Sequence, residues 1–261
     1  MAAFVLPPKR IRRAVGQALV DFQMLRDGDR VLLGLSGGKD SLSLLHILRH
    51  VQRVAPVRFE FGAVTIDPMT PEYDPGPLKP YLAGLGVDYH RVREPLVELA
   101  QRHMHGDSYC AFCARMRRGL MYRTARRAGY NVVALGQHLD DLAESFLMSA
   151  FHGGRLGTMK AHYRNDLGDI RVLRPLVYIR ERQLQAFARE AALPVIPDNC
   201  PACFSQPTER ARIKALLADE EHQHPQLFKS LVQTLKPLMA VGQPEHDAYD
   251  DDDGGGIRDI A

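Results

Sequence analysis

A chain of 261 residues, 45% hydrophobic and 25% charged, can bury one sizeable core plus an appended lobe and has the balance of an ordinary soluble globular protein. No run approaches ~18 uncharged apolar residues, and Met1–Pro8 leads straight into Lys9, Arg10, Arg12 and Arg13, so neither a membrane span nor a secretory leader is expected. The net charge of +3 conceals an asymmetry: from Val241 onward lie seven of the 31 acids and one of the 34 bases, which leaves 33 bases against 24 acids, or +9, on the body. Such a body attracts polyanions such as RNA, while the tail, with its Asp run and Gly254-Gly255-Gly256, reads as disordered.

In chain order, an arm over residues 1–8 precedes a basic helix expected at Lys9–Leu25. The apolar run Arg30–Leu35 reads as a buried strand, and Asp40–Val51 has the apolar spacing of a helix. Between them stands Leu35-Ser36-Gly37-Gly38-Lys39-Asp40-Ser41. A strand, a glycine turn and a helix N-terminus form an anion site, because backbone N–H groups point outward and the helix dipole favours phosphate. Ser36 and Ser41 add hydroxyls and Lys39 adds charge. The common P-loop would place Gly at position 33 and Ser or Thr at position 40, where this chain has Leu33 and Asp40.

Further strands are expected at Phe59–Ile66, Val87–Val92, Asn131–Leu135 and Ile170–Leu173, with helices at Gly76–Leu85, Cys110–Gly129 and Leu139–Phe151. That alternation argues for a parallel α/β sheet of about five strands, which binds ligands at the carboxyl ends of its strands. Asp67, at the end of the second strand, is placed for the nucleoside end of a nucleotide, or for a simple turn before Pro68. From 179 to 240 the pattern becomes helical, at Ile179–Ala191, Pro207–Glu221 and Pro225–Met239, and 241–261 is the acidic tail.

All four cysteines fall in CxxC pairs, Cys110/Cys113 and Cys200/Cys203. The number is too small for a secreted disulfide framework and fits a reducing cytosol. The first pair opens a helix capped by Asp107 or Ser108, where the N-terminus favours thiolate. On spacing alone a closed Cys₄ zinc site leads, ahead of an iron–sulfur cluster and a redox pair. Arg115, Arg117 and Arg118 lie just beyond the thiols and suit phosphate or RNA contact, and Tyr109 and Phe112 could stack on a base. In Gly136-Gln137-His138-Leu139-Asp140-Asp141, carboxylates at a strand end suit Mg²⁺ or proton transfer. Asp140 is also the expected helix cap, and His138 and Glu144 read as structural.

This ordered set resembles the tRNA 2-thiocytidine synthetase (TtcA) group of the PP-loop ATP pyrophosphatases. The likeness runs from Lys9 to Met239. It takes in Asp21-Phe22, Ser36–Ser41, Cys110-x-x-Cys113 with Arg117-Arg118-Gly119, and Gly136-x-His138-x-Asp140-Asp141. It continues through Gly153-Gly154, Arg174-Pro175-Leu176 and a late Cys pair running into Ser205-Gln206. The resemblance implies a Rossmann-like sheet (PP-loop/HUP-type) over 9–178 with a helical C-terminal extension over 179–240. It implies ATP and Mg²⁺ bound by Leu35–Ser41, Ile66, Asp67 and Gly136, with Lys39, Asp40 and Asp141 catalytic. A [4Fe–4S] cluster held by Cys110, Cys113 and Cys203 (or Cys200), with Zn²⁺ as the alternative, would carry sulfur to a tRNA cytidine whose C2 oxygen has been adenylated. The tRNA would be gripped by Lys9, Arg10, Arg12, Arg13, Arg115, Arg117 and Arg118. The partners implied are a sulfur donor such as a cysteine desulfurase and possible homodimerisation, in the cytoplasm. Three alternatives remain: a 2-thiouridine synthetase, a lysidine-type ligase, and a zinc-stabilised RNA-binding protein. The absence of cysteines before Cys110 favours the cytidine branch, and the paired cysteines disfavour the ligase.

Overall fold

The computed structural model describes residues 4–103, 109–197 and 208–240, with the side chains at 103 and 109–111 left out of the description. Six strands form one sheet: β1 (Asp29–Gly34), β2 (Phe59–Asp67), β3 (Asp88–Arg93), β4 (Val132–Ala134), β5 (His162–Arg164) and β6 (Arg171–Leu173). Their order is β3-β2-β1-β4-β6-β5, parallel throughout except where β5 runs antiparallel to β6. The helices are α1 (Lys9–Asp21), α2 (Lys39–Val54), α3 (Leu78–Gly84), α4 (Leu96–His103), α5 (Tyr109–Ala128), α6 (Leu139–Gly153), α7 (Glu181–Glu190), α8 (Glu209–Gln223) and α9 (Leu227–Met239).

Strand side chains alternate between two faces, and here both faces are covered. Val31, Leu33, Val132 and Ala134 join the larger core with α2, α6 and α7, while Leu32, Val64 and Val133 pack on Met121 and Ala125 of α5. This double cover explains why β1 reads as a continuous apolar run rather than an alternating one. The larger core also takes in Leu184 and Phe187 of α7, Ile213 of α8 and Phe228 of α9, so the helical extension shares the core of the sheet.

The expected strands and helices are present, with two additions. The sheet has six strands rather than about five, because β5 is only three residues of mixed polarity (His162, Tyr163, Arg164) and carries no readable alternation. Helix α4 directly follows Pro95 and is eight residues long, shorter than the ~11–18 residues over which helical periodicity is read. Helix α1 stops at Asp21, short of Leu25, where Gln23 turns to φ 48°. Among the described residues no helix is long and apolar enough to cross a membrane. The acidic tail lies outside the described residues.

The topology also fixes where a ligand can sit. Strand β1 pairs with β2 on one side and β4 on the other, so the connections leaving β1 and β4 diverge and open a crevice at their carboxyl ends.

Candidate active site

A cleft of about 460 Å³ occupies that crevice. It is lined by Leu35, Ser36, Asp40 and Ser41 from the glycine loop and α2, by Gly136, Gln137 and Asp141 after β4, and by Val64 and Ile66 from β2. Tyr73, Arg117, Met121 and Arg210 close it. The glycine turn is shaped by its surroundings. Gly37 holds φ +84°, and an added Cβ would come within 2.8 Å of Ile196 Cδ1, while the Ile196 N–H donates to Gly37 O at 2.9 Å. The loop after β4 lies against the first turn of α2, where a Cβ added at Gly136 would stand 3.4 Å from Ser41 N, an ordinary contact.

No side chain caps α2, so its first N–H groups stay open toward an anion. Ser36 Oγ accepts from Gly38 N at 3.3 Å and lies 3.2 Å from Ser41 Oγ, and Ser41 Oγ donates to Gly38 O at 3.0 Å. The Tyr73 hydroxyl donates to Ser36 O at 2.8 Å. These bonds hold the loop in its cradle shape before any ligand arrives.

Asp40 and Asp141 are the two carboxylates lining the cleft. Asp40 Oδ2 accepts from Lys39 Nζ at 3.1 Å, but its Oδ1 is buried without a hydrogen-bond partner. Burial raises the Asp40 pKa, against the lowering influence of the charges of His138 and Lys39. An orphaned buried carboxylate oxygen is unfavourable unless something completes it, and a hard cation beside phosphates would do so. Lys39 does not line the cleft: its Nζ donates to Glu181 Oε1 at 2.9 Å. Burial works to lower the Lys39 pKa, yet the bond to Glu181 and the charge of Asp40 hold it above its usual value. Glu181, although burial opposes its charge, is pulled down to about 2 by Lys214 and Lys39.

The neighbouring acids at 140 and 141 exchange the structural parts expected for them. His138, not Asp140, caps α6: its Nδ1 accepts from Asp141 N at 3.4 Å, and Asp141 Oδ2 accepts from His138 N at 2.9 Å, a capping box. Asp140 faces the helical extension, where Oδ2 accepts from Glu181 N at 2.7 Å and Oδ1 from Arg180 Nε at 3.0 Å. The structural reading of His138 agrees with its 4% exposure. Glu144 is also buried, with burial raising its pKa, and it pairs at 3.0 Å with Arg210, which lines the cleft.

Six of the expected nucleotide contacts (Leu35, Ser36, Asp40, Ser41, Ile66 and Gly136) line the cleft. Gly37 and Gly38 build its turn, and Asp67 instead lies buried against Arg91 at 2.6 Å. On α1, Lys9, Arg10 and Arg13 are exposed and Arg12 is half-buried. Arg117 is drawn into the cleft from α5, with its Nε buried and unpartnered, whereas Arg115 and Arg118 are half-buried outside the lining. Tyr73, Gln137 and Arg210 carried no signal: one sits in a Pro-rich loop, one between motif positions, and one on a helix far along the chain.

Cys113 is half-buried and lies four residues before Arg117 on the same helix, hence on the face that reaches the cleft. The Cys110 side chain and the pair Cys200/Cys203 lie outside the described residues. Among the described residues no group of three or more His, Cys, Asp or Glu is arranged to hold a metal. Both ends of the segment carrying the late pair nevertheless adjoin the cleft, Ile196 against Gly37 on one side and Arg210 on the other.

The profile of the PP-loop domain family matches residues 93–221, a stretch that begins after the glycine loop. A tRNA-cytidine(32) 2-sulfurtransferase of Geobacter sulfurreducens is 41% identical over 228 residues, covering 87% of this chain and 89% of that protein. The Pectobacterium atrosepticum protein of the same description is 37% identical over 244 residues, 93% of this chain and 78% of that one. Among solved structures, the U34-tRNA thiolase of Methanococcus maripaludis, determined with its [4Fe–4S] cluster, superposes with a TM-score of 0.71 at 23% identity. That match covers 88% of this chain and 78% of the thiolase.

Proposed function

The chain belongs to the tRNA-cytidine(32) 2-sulfurtransferase family of PP-loop proteins, and from that premise we propose how its cleft performs the reaction. The protein is an ATP-dependent tRNA thiolase that replaces the C2 oxygen of cytidine 32 with sulfur. ATP lies with its phosphates over the glycine loop and the open N–H groups of α2. Asp40 would hold Mg²⁺ through the oxygen that lacks a partner, and that oxygen is the observation supporting this placement.

The cytidine O2 attacks the α-phosphorus and pyrophosphate departs, leaving C2 bonded to an AMP leaving group. The open N–H donors of α2 stabilise the charge that develops on the phosphates, and Mg²⁺ when bound would neutralise part of it. Asp141, fixed in its capping box, faces the same space and serves as the carboxylate that takes up a proton or orients the incoming sulfur. Sulfide-level sulfur adds to C2, the C2–O bond then breaks, AMP leaves with the original oxygen, and C2 keeps the sulfur as a thiocarbonyl.

Cys110, Cys113 and one of Cys203 and Cys200 would hold a [4Fe–4S] cluster. Cys113 supports this reading, since it shares its helix face with the cleft residue Arg117. When bound, the cluster supplies the iron at which sulfur is delivered. A persulfide source such as a cysteine desulfurase would provide that sulfur, with a thiol reductant supplying the two electrons that release the outer sulfur as sulfide. The exposed Lys9, Arg10 and Arg13 of α1 form no ion pair among the described residues and suit the tRNA backbone.

The test is to incubate anaerobically reconstituted protein with unmodified tRNA, Mg-ATP and sulfide. AMP and 2-thiocytidine forming together, each dependent on tRNA, support the reading; AMP without thiolated nucleoside refutes it.

A further inference from the structure

Gln137 lines the cleft beside Gly136, and its amide is held from behind by Arg174. Arg174 is 4% exposed. Its Nε donates to Gln137 Oε1 at 3.1 Å, its Nη1 donates to Lys160 O at 2.6 Å, and its guanidinium lies 5.2 Å from the centre of the Tyr163 ring. It meets no carboxylate within ion-pair distance among the described residues. An arginine has five N–H donors and no acceptor. The atom that Gln137 turns toward it must therefore be the amide oxygen, which settles a rotation that geometry alone leaves ambiguous. The Nε2 group of Gln137 donates to no described residue.

We propose that Arg174 locks Gln137 as a hydrogen-bond donor into the cleft, and that this donor selects cytosine over uracil at the reacting base. The inference rests on the functional reading above. A pyrimidine lying against Met121 and Leu135, beside Gln137 and clear of the β2 end given to ATP, presents its Watson–Crick edge to the polar residues. Cytosine offers an unprotonated N3, next to the reacting C2, and accepts from the amide N–H. Uracil has N3–H at that point, so two donors would face each other and each would lose its partner on leaving water. Sites that match a hydrogen-bond partner discriminate far more strongly than sites that match shape. Gln137 is thus a specificity residue, and Arg174 is the positioning residue that sets its polarity. The same donor could instead meet a ring nitrogen of the ATP adenine, and the test separates the two.

Gln137→Glu keeps the shape and the acceptor facing Arg174, but turns the cleft-facing group from donor to acceptor. Gln137→Leu removes both polar atoms. Thiolation would be measured on tRNA transcripts bearing C or U at position 32, together with the KM for ATP and the melting temperature. Affinity for the C and U stem-loops by fluorescence anisotropy, on the reconstituted protein without ATP or a sulfur source, gives a readout independent of turnover. Gln137→Glu should lower the C-over-U preference by ~10-fold or more in both assays, with KM for ATP within about twofold. Gln137→Leu should lose cytidine without gaining uridine. A preference unchanged in Gln137→Glu overturns the inference, as does a ~10-fold rise in KM for ATP with the preference intact, which assigns the donor to adenine. If the wild type makes no 2-thiocytidine, the functional reading fails, and the stem-loop affinities still decide the role of Gln137.

Discussion

Asp141 is asked to do two jobs, and substitution can separate them. Its Oδ2 accepts from His138 N at 2.9 Å in the capping box of α6, while the residue also lines the cleft. Asp141→Ala removes both the cap and the charge. Loss of a capping interaction costs ~0.5–2 kcal/mol, and since ~1 kcal/mol moves the melting temperature of a chain this long by roughly 2–4 °C, a fall of about 1–8 °C is expected. Asp141→Asn keeps an oxygen for His138 N and removes the charge alone, which at a helix N-terminus is worth ~0.3–1 kcal/mol, so its melting temperature should fall by no more than about 4 °C. If the carboxylate handles a proton or orients sulfur, both variants should lose ~10²-fold or more in thiolation. Thiolated nucleoside in digested tRNA, read beside thermal melts, gives the answer. An Asn variant that thiolates at the wild-type rate would show that the charge is dispensable and that Asp141 serves the helix only.

Asp40→Ala should slow AMP formation ~10²–10³-fold while the fold persists, because Asp40 lines the cleft and loses an oxygen that had no partner. Lys39→Ala, whose side chain is held by Glu181 outside the lining, should slow it far less. Wild-type ATP cleavage in Asp40→Ala would remove the glycine loop from the chemistry. Replacing Lys9, Arg10 and Arg13 together should flatten the slope of log affinity for tRNA against log salt by ~0.7–0.9 for each phosphate these residues neutralise, and an unchanged slope would turn α1 away from RNA. Cys110→Ala and Cys113→Ala should lose iron and visible absorbance after anaerobic reconstitution, while only one of Cys200→Ala and Cys203→Ala should. Equal loss in all four would indicate a closed four-thiolate site.

The readable parts of this molecule were the local ones. The strand, glycine turn and helix around Ser36–Ser41 form from neighbouring residues, so their pattern shows in the sequence and the cleft sits where they place it. The paired acids show the opposite case. Nothing near positions 140 and 141 tells which one caps α6, because Asp140 is claimed by Arg180 and the N–H of Glu181, about forty residues away in sequence, leaving the box to Asp141. Asp67 stands at a strand end as expected but is neutralised by Arg91 from the next strand. Lys39 is diverted likewise by Glu181. Tyr73, Gln137 and Arg210 reach the cleft only through tertiary packing, and short elements such as α4 and β5 lack the length in which periodicity can be seen.

The central claim is that the cytidine oxygen itself attacks ATP, and a heavy-oxygen label follows it most directly. A tRNA whose target cytidine carries the label at O2 is converted in a single turnover, and the AMP is examined by mass spectrometry. The mechanism predicts one labelled oxygen in each AMP formed, matched one-to-one by 2-thiocytidine. Unlabelled AMP, with the label released to water, would show that ATP cleavage does not activate the base and would contradict the account.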